Sequence, residues 1–397
     1  MRDLYLENSG INNPDKEKRK IKFDFILFFA VILISTVGVL VIYSATRYSM
    51  PGGVGDSMYY LKKQASWLGA AIIASVLIQF INYRVLKKCW WIFLIIIITS
   101  LALVLVIGYE VNGSKSWIDL KFFSIQPSEF SKVFMVIVVS AVLSKWSREK
   151  KNRVGFKKVS LSLIAALICI ALVLLEPDFG TALIFFIVYI GILFLSGANL
   201  FYLFGILGAA VGGFFLALKM ELIKQYQLDR ILIFLKPEVQ KGGIGYNLFQ
   251  SKLAIGSGGL WGKGLFLGKQ TNLNYVPQHH TDFIFSVIGE EFGFFGALFI
   301  IIIMTVVIWR CFYISANADN SFGSLLAGGI GFIILTQLVI NIGMTIGIMP
   351  IIGIPLPFLS YGGSNLLSVF IGIGLVENVY SRRELRRKYE IAYQEFD

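Results

Sequence analysis

Residues 23–43 read FDFILFFAVILISTVGVLVIY. Apart from Asp24 the run carries no charge, and its length matches the roughly 20 apolar residues a helix needs to cross a bilayer. It follows a basic tail and is too long for the apolar region of a signal peptide. Nine more stretches of the same kind follow, near residues 65–81, 90–108, 130–145, 159–175, 180–197, 200–219, 283–308, 325–349 and 357–379. They are long and continuous, without the period-2 alternation of a barrel strand. The pattern predicts an all-α polytopic membrane protein with ten transmembrane helices.

The composition agrees. Of 397 residues, 56% are hydrophobic and only 15% are charged, with mean hydropathy +0.73. A soluble domain carries about 25% charged residues, so a soluble enzyme and a disordered chain are excluded. The net charge of +12 reads as the cytoplasmic excess of Lys and Arg in a membrane protein, with no nucleic-acid partner. An inside N-terminus places 22 Lys and Arg on the inner side and 12 outside, seven of the latter in one long loop. Long segments weigh little in this rule, so the short loops decide for both termini in the cytoplasm. Cys89, Cys169 and Cys311 give no disulfide framework, and His279 with His280 cannot make a His-rich metal site.

The resulting division is a cytoplasmic basic tail over 1–22, a membrane domain over 23–380 and a cytoplasmic C-terminal tail over 381–397. Between helices 7 and 8 lies a large extracellular loop, residues 221–282. Nine glycines fall between Gly242 and Gly268, and Phe249, Trp261 and Phe266 lie among them. A loop this long in a compact protein is functional or disordered. Its apolar content predicts folding onto the membrane surface.

Charges at membrane depth are costly and therefore informative. PSEFSK (127–132) opens the fourth span and puts Glu129 and Lys132 three residues apart, on one helix face. They form either a structural ion pair or part of a polar cavity in which Lys132 meets an anion. EPDFGT (176–181) turns the chain between spans five and six; Asp178 is a helix N-cap or a functional carboxylate. PQHHTDFIF (277–285) leads into span eight. Asp282 at its start is again a cap or a chemical group, with His280 and Thr281 beside it. Glu290 and Glu291 follow inside the span, where one of them stabilises helix packing. Residues 349–364 (MPIIGIPLPFLSYGGS) hold too many prolines and glycines for a helix. Irregular backbone at that depth survives only when buried in protein or lining a wet cavity. The glycine-rich GGLWGKG (258–264) fails the P-loop pattern, since its first glycine would be Ser257 and Gly264 stands at the Ser/Thr place.

On these segments the chain resembles the SEDS family (shape, elongation, division and sporulation). The matching stretches are 125–129 with Lys132, 176–181, 226–230, 245–247, 250–251, 254–264, 280–291 and 341–364, in family order over about residues 23–380. Residues 351–357 and 291–293 are similar to the elongation type rather than the division type. The resemblance implies ten spanning helices in the bacterial cytoplasmic membrane. It implies a peptidoglycan glycosyltransferase that polymerises lipid II at the outer face during elongation and rod-shape maintenance. It also implies a class B penicillin-binding protein as transpeptidase partner.

The catalytic aspartate of the family falls on Asp282, and its polar partners on Glu129, Lys132, Asp178 and Thr181. Where many members have Arg before Trp117, this chain has Ser116, with Lys115 one residue away. Arg230, Lys115, His280 and Ser360 complete the expected substrate-binding set. A divalent cation, Mg²⁺ or Mn²⁺, is an expected cofactor, with Glu129, Asp178 or Asp282 as candidate ligands. Mg²⁺ needs only one or two carboxylates plus substrate phosphates. Competing readings are a lipid II flippase, the division or sporulation member of the family, and a non-enzymatic scaffold.

Overall fold

The computed structural model describes residues 23–47, 58–111, 113–120, 123–144, 154–221, 230, 234, 244–273, 275 and 278–394. The tail read over 1–22 lies outside them. The described helices, in chain order, are α1 (Phe25–Thr46), α2 (Tyr59–Ile78), α3 (Tyr83–Lys88), α4 (Trp90–Ile107), α5 (Pro127–Leu143), α6 (Phe156–Leu175), α7 (Phe179–Leu195), α8 (Leu200–Lys219), α9 (Ile244–Gly258), α10 (Lys269–Asn272), α11 (Ile284–Ala316), α12 (Ser321–Ile346) and α13 (Gly363–Gln394). Each of the ten apolar stretches coincides with one of them. Among the described residues, seven helices are long and apolar enough to cross a membrane: α1, α2, α4, α6, α8, α11 and α12.

Three features go beyond the sequence reading. A three-stranded antiparallel meander follows α4: β1 (Tyr109–Val111), β2 (Ser114–Asp119) and β3 (Ser124–Ile125). Its strands are too short to leave a periodic signal. Gly113, at φ +85, makes the first turn. Second, the tail read over 381–397 is helical through Gln394, as α13 continues without a break. Third, the 221–282 loop is not merely a surface layer. Its α9 packs on α11 and α12, and Ser251 donates to the Thr345 carbonyl at 2.9 Å.

The bundle centres on α12, packed against α11, α7, α5 and α13. Apolar lipid gives helices no hydrophobic reason to associate, so small residues that permit close approach carry the packing. Gly191 of α7 receives the Phe332 ring, and Gly329 of α12 faces Val136 and Ile192. By contrast, α8 buries none of its residues.

Helix α11 is broken at Gly293 (φ 66, ψ −161), a conformation essentially confined to glycine. The break would orphan backbone groups within the bundle, and the glycine-rich segment 258–264 satisfies them. Lys263 and Gly264 donate backbone N–H to the carbonyls of Glu290 and Glu291, both at 3.0 Å. Phe294 and Phe295 donate to Gly259 and Leu260 at 2.9 and 3.2 Å. The run that looked like a defective P-loop is thus a backbone plug. A side chain at 293 would also collide with Leu260 and Gly262. We expect Gly293→Ala to destabilise the protein by about 1–3 kcal/mol or more, measured as a lower midpoint of thermal unfolding in detergent.

Candidate active site

Asp282 lies in the turn before α11. The N-cap of α11 is Phe283, and no side chain caps it, so Asp282 is not a capping residue. The turn is held from several sides. Asn341 of α12 donates its amide to the Asp282 carbonyl at 2.8 Å and to the Ile354 carbonyl at 2.7 Å. Ser360 donates to the Thr281 carbonyl at 2.6 Å and accepts from the Leu356 N–H at 2.8 Å. Tyr361 N–H reaches the His280 carbonyl at 2.9 Å. His279 sits 2.8 Å from the Ala45 carbonyl at the end of α1.

The non-helical segment 347–362 wraps this turn, as its prolines and glycines foretold. A methyl placed on Gly353 (φ +79) would lie 3.2 Å from Asp282 Oδ2, so the carboxylate rests against that glycine. Arg230 donates to the Ile352 carbonyl at 3.0 Å, and its charge acts on Asp282. The start of α7 meets the same segment, with Gly180 against Ile352 and Ile354.

Asp282, Arg230, Asp178, Thr181, His280 and Ser360 are therefore brought to one region. Burial pushes the Asp282 carboxyl up to about 6; Arg230 and Thr281 oppose this, and Asp178 adds to it. His280 is pushed down to about 4 by burial and by His279, so its ring is neutral at pH 7. Glu176, which sequence reasoning gave no role, is fully buried, and among the described residues neither carboxyl oxygen has a hydrogen-bond partner. Burial and the nearby Asp178 push it up to about 8, so it is neutral at pH 7.

Other expected roles change. Asp178 is a helix cap: its carboxylate accepts from the Thr181 N–H at 2.9 Å and the Thr181 hydroxyl at 2.8 Å. Thr181 is the partner of that cap through both its N–H and its hydroxyl. Lys115 does not join the site. Its ammonium donates to the Leu105 and Val106 carbonyls at 2.8 and 3.2 Å, closing the end of α4. Glu129 and Lys132 form the buried ion pair, at 2.8 Å. Both are almost wholly buried, and the ammonium makes no other hydrogen bond among the described residues. The Ser364 hydroxyl, accepting from the Gln126 N–H at 3.1 Å, connects the start of α5 to that of α13.

Among the described residues no three His, Cys, Asp or Glu side chains could hold a metal together. Glu129 is taken up by Lys132 and Asp178 by Thr181. The residues present do not fit a cage made by the protein alone.

Known proteins share this architecture. A family profile described as cell cycle protein, covering FtsW, RodA and SpoVE, matches residues 24–385. The chain belongs to this family, the SEDS proteins. Among curated relatives, a probable peptidoglycan glycosyltransferase FtsW of Wigglesworthia glossinidia brevipalpis is 36% identical over 393 residues, covering 96% of this chain and 99% of the relative. Stage V sporulation protein E of Bacillus subtilis (strain 168) is 34% identical, covering 92% and 99%. The peptidoglycan glycosyltransferase MrdB of Escherichia coli (strain K12) is 32% identical, covering 95% and 99%. Of solved structures, the rod-shape-determining protein RodA of Thermus thermophilus superposes with TM-score 0.67 at 27% identity, covering 92% of this chain and 98% of that one. A chain from a peptidoglycan synthase complex, solved for the structural coordination of polymerization and crosslinking, superposes with TM-score 0.75 at 27% identity, covering 91% and 99%. These SEDS relatives carry differently named roles at similar identity, so similarity alone does not separate the subtypes.

Proposed function

We propose that this SEDS protein is a peptidoglycan glycosyltransferase that polymerises lipid II at the outer face of the bacterial cytoplasmic membrane. The observation that carries the reading is Asp282. It is a carboxyl that caps nothing, rests against a glycine and has a raised proton affinity, beside a guanidinium and irregular backbone. The shared activity of the curated relatives supports it.

Glycosyl transfer onto a sugar hydroxyl needs a base for the proton and positive charge for the leaving diphosphate. Asp282 takes the proton from the 4-hydroxyl of one saccharide. The oxygen then bonds the anomeric carbon of the other, and the bond from that carbon to the diphosphate oxygen breaks. Arg230, whose charge acts on Asp282, receives the leaving charge, with Lys132 as a second cation. Ser360 and Asn341 hold the turn that carries the base. A Mg²⁺ or Mn²⁺ ion would be held with the substrate's diphosphate and would supply further positive charge there.

Residues 351–357 and 291–293 assign the protein to elongation and rod shape, with a class B penicillin-binding protein as crosslinking partner. The related synthase complex supports that partner. Both termini are assigned to the cytoplasm, from the Lys and Arg of the short loops.

A flippase would carry charged residues on a path to the inner face as well. Asp24, Arg310 and Glu377 form a second buried charged cluster, at the opposite end of α11 from Asp282. Arg310 pairs with Asp24, and Asp24 N–H donates to Glu377 at 2.8 Å. These groups join α1, α11 and α13 into a closed set, which favours a structural lock over a transport path.

The test is a purified preparation with its transpeptidase, given lipid II and Mg²⁺ or Mn²⁺, with moenomycin to silence classical glycosyltransferases. Glycan strands are expected. Because the base works deprotonated, the rate is expected to fall about tenfold per pH unit below about 6. Absence of strands from an intact complex, with lipid II crossing the membrane instead, would establish the flippase.

A further inference from the structure

Three rings gather beside the Asp282 turn. Tyr60, in the first turn of α2, lies 5.1 Å from Tyr361 and 5.4 Å from His280, and His280 lies 5.9 Å from Tyr361, between centroids. All three are half-buried, with exposed Tyr59 stacked edge-on against Tyr60. Aromatic residues at a membrane boundary commonly serve as interfacial anchors. Anchors point singly into the headgroups, whereas these rings pack on one another and on the turn that bears the base.

Polar groups among them are incompletely used. Among the described residues, His280 Nδ1 is buried without a hydrogen-bond partner, and so is Asn365 Oδ1 in the first turn of α13. Among the described residues, the buried amide of Gln64 is held only by long contacts, 3.4 Å each, to the Ser360 carbonyl and the Gly362 N–H. Burying a polar atom unpaired is costly. Unpaired polar atoms beside an aromatic wall are the kind of groups a small-molecule site uses. Apolar ring faces with hydrogen-bonding edges suit a pyranose, which has C–H faces and hydroxyl edges.

We propose that Tyr60, His280 and Tyr361, with Gln64 and Asn365 behind them, form a saccharide subsite that holds an N-acetylhexosamine ring next to Asp282. The subsite rests on the polymerase reading and deepens it. The rings take the sugar faces. The neutral imidazole and the two amides take its hydroxyl and acetamido groups.

The experiment uses the full chain with its transpeptidase in lipid nanodiscs. Binding of a lipid-free tetrasaccharide of alternating N-acetylglucosamine and N-acetylmuramic acid is measured by calorimetry, and lipid II polymerisation is measured in parallel. Tyr60→Ala and Tyr361→Ala should each weaken tetrasaccharide binding about tenfold or more. They should raise KM for lipid II by a similar factor, with kcat changed less than about threefold. Tyr60→Phe, which keeps the ring, should restore most of the binding, guarding against a folding defect. Phe29→Ala, an exposed aromatic on α1, should change neither readout. Alanine variants that bind and polymerise as wild type does would overturn the subsite and leave the polymerase standing. A wild type that binds the tetrasaccharide but makes no strands would keep the subsite and remove the polymerase. A wild type that does neither overturns both.

Discussion

Asp282→Asn lowers the rate of glycan polymerisation by about 10²–10⁴-fold, the contribution of a positioned general base. The amide keeps the shape of the side chain and cannot take a proton. The fold should survive, because the turn is held through main-chain groups. Asn341 grips the Asp282 carbonyl, Ser360 the Thr281 carbonyl and Tyr361 N–H the His280 carbonyl. The carboxylate itself caps no helix. Asn at 282 also removes a carboxyl whose ionised form burial disfavours, so the unfolding midpoint should stay or rise slightly. Asp178→Ala makes the contrast. It loses a cap worth about 0.5–2 kcal/mol and should cost stability more than chemistry. The assignment fails if Asp282→Asn polymerises at the wild-type rate, or if the loss of activity tracks a loss of folded protein.

The sequence disclosed those parts of the structure that rest on hydrophobicity and charge. Ten apolar stretches fell on ten helices because side chains facing lipid have no polar alternative. The region of Asp282 was legible because a carboxylate at the mouth of an apolar span has few other reasons to be there. Competition among partners was hidden. Asp178, Glu129 and Asp282 look alike in sequence, yet Thr181 occupies the first and Lys132 the second. Lys115 read as a spare cation because the α4 carbonyls that receive it lie a hairpin away. Tyr60 and Gln64 went unnoticed, since their meaning comes from residues 360–362, some 300 positions on. The boundary of α2 erred for a related reason. Lys62, Lys63 and Gln64 lower the hydropathy of its first turns, although the helix begins at Tyr59.

Glu290→Ala should be the most destabilising single change near the site. Sequence reasoning expected one of the two adjacent carboxylates to stabilise packing, and both do, in different directions. Glu291 accepts from Ser44 of α1 at 2.5 Å. Glu290, with no exposed surface, accepts from Lys263 at 2.7 Å, from the backbone N–H groups of Gln270 and Thr271 at 2.9 and 3.0 Å, and from the Thr271 hydroxyl at 2.7 Å. The first turn of α10 thus sits on a carboxylate, which favours the charge at a helix N-terminus. Gly268 leaves no room for a side chain between them. Truncation strands an ammonium, a hydroxyl and two N–H groups, which places the cost at about 3–5 kcal/mol. Glu290→Gln keeps the shape and part of the bonding, so it should cost about 1–3 kcal/mol. Lys263→Ala should cost less than either, because that side chain is about a quarter exposed (28%) and the backbone donors still satisfy the carboxylate. Hydrogen exchange provides the local measure. Protection over 258–273 should collapse in Glu290→Ala and hold in Lys263→Ala, since the Glu290 carboxylate ties α10 and Lys263 to the α11 break alongside the backbone pairing. Equal protection in both variants would mean that the backbone pairing around Gly293 holds the plug without the carboxylate.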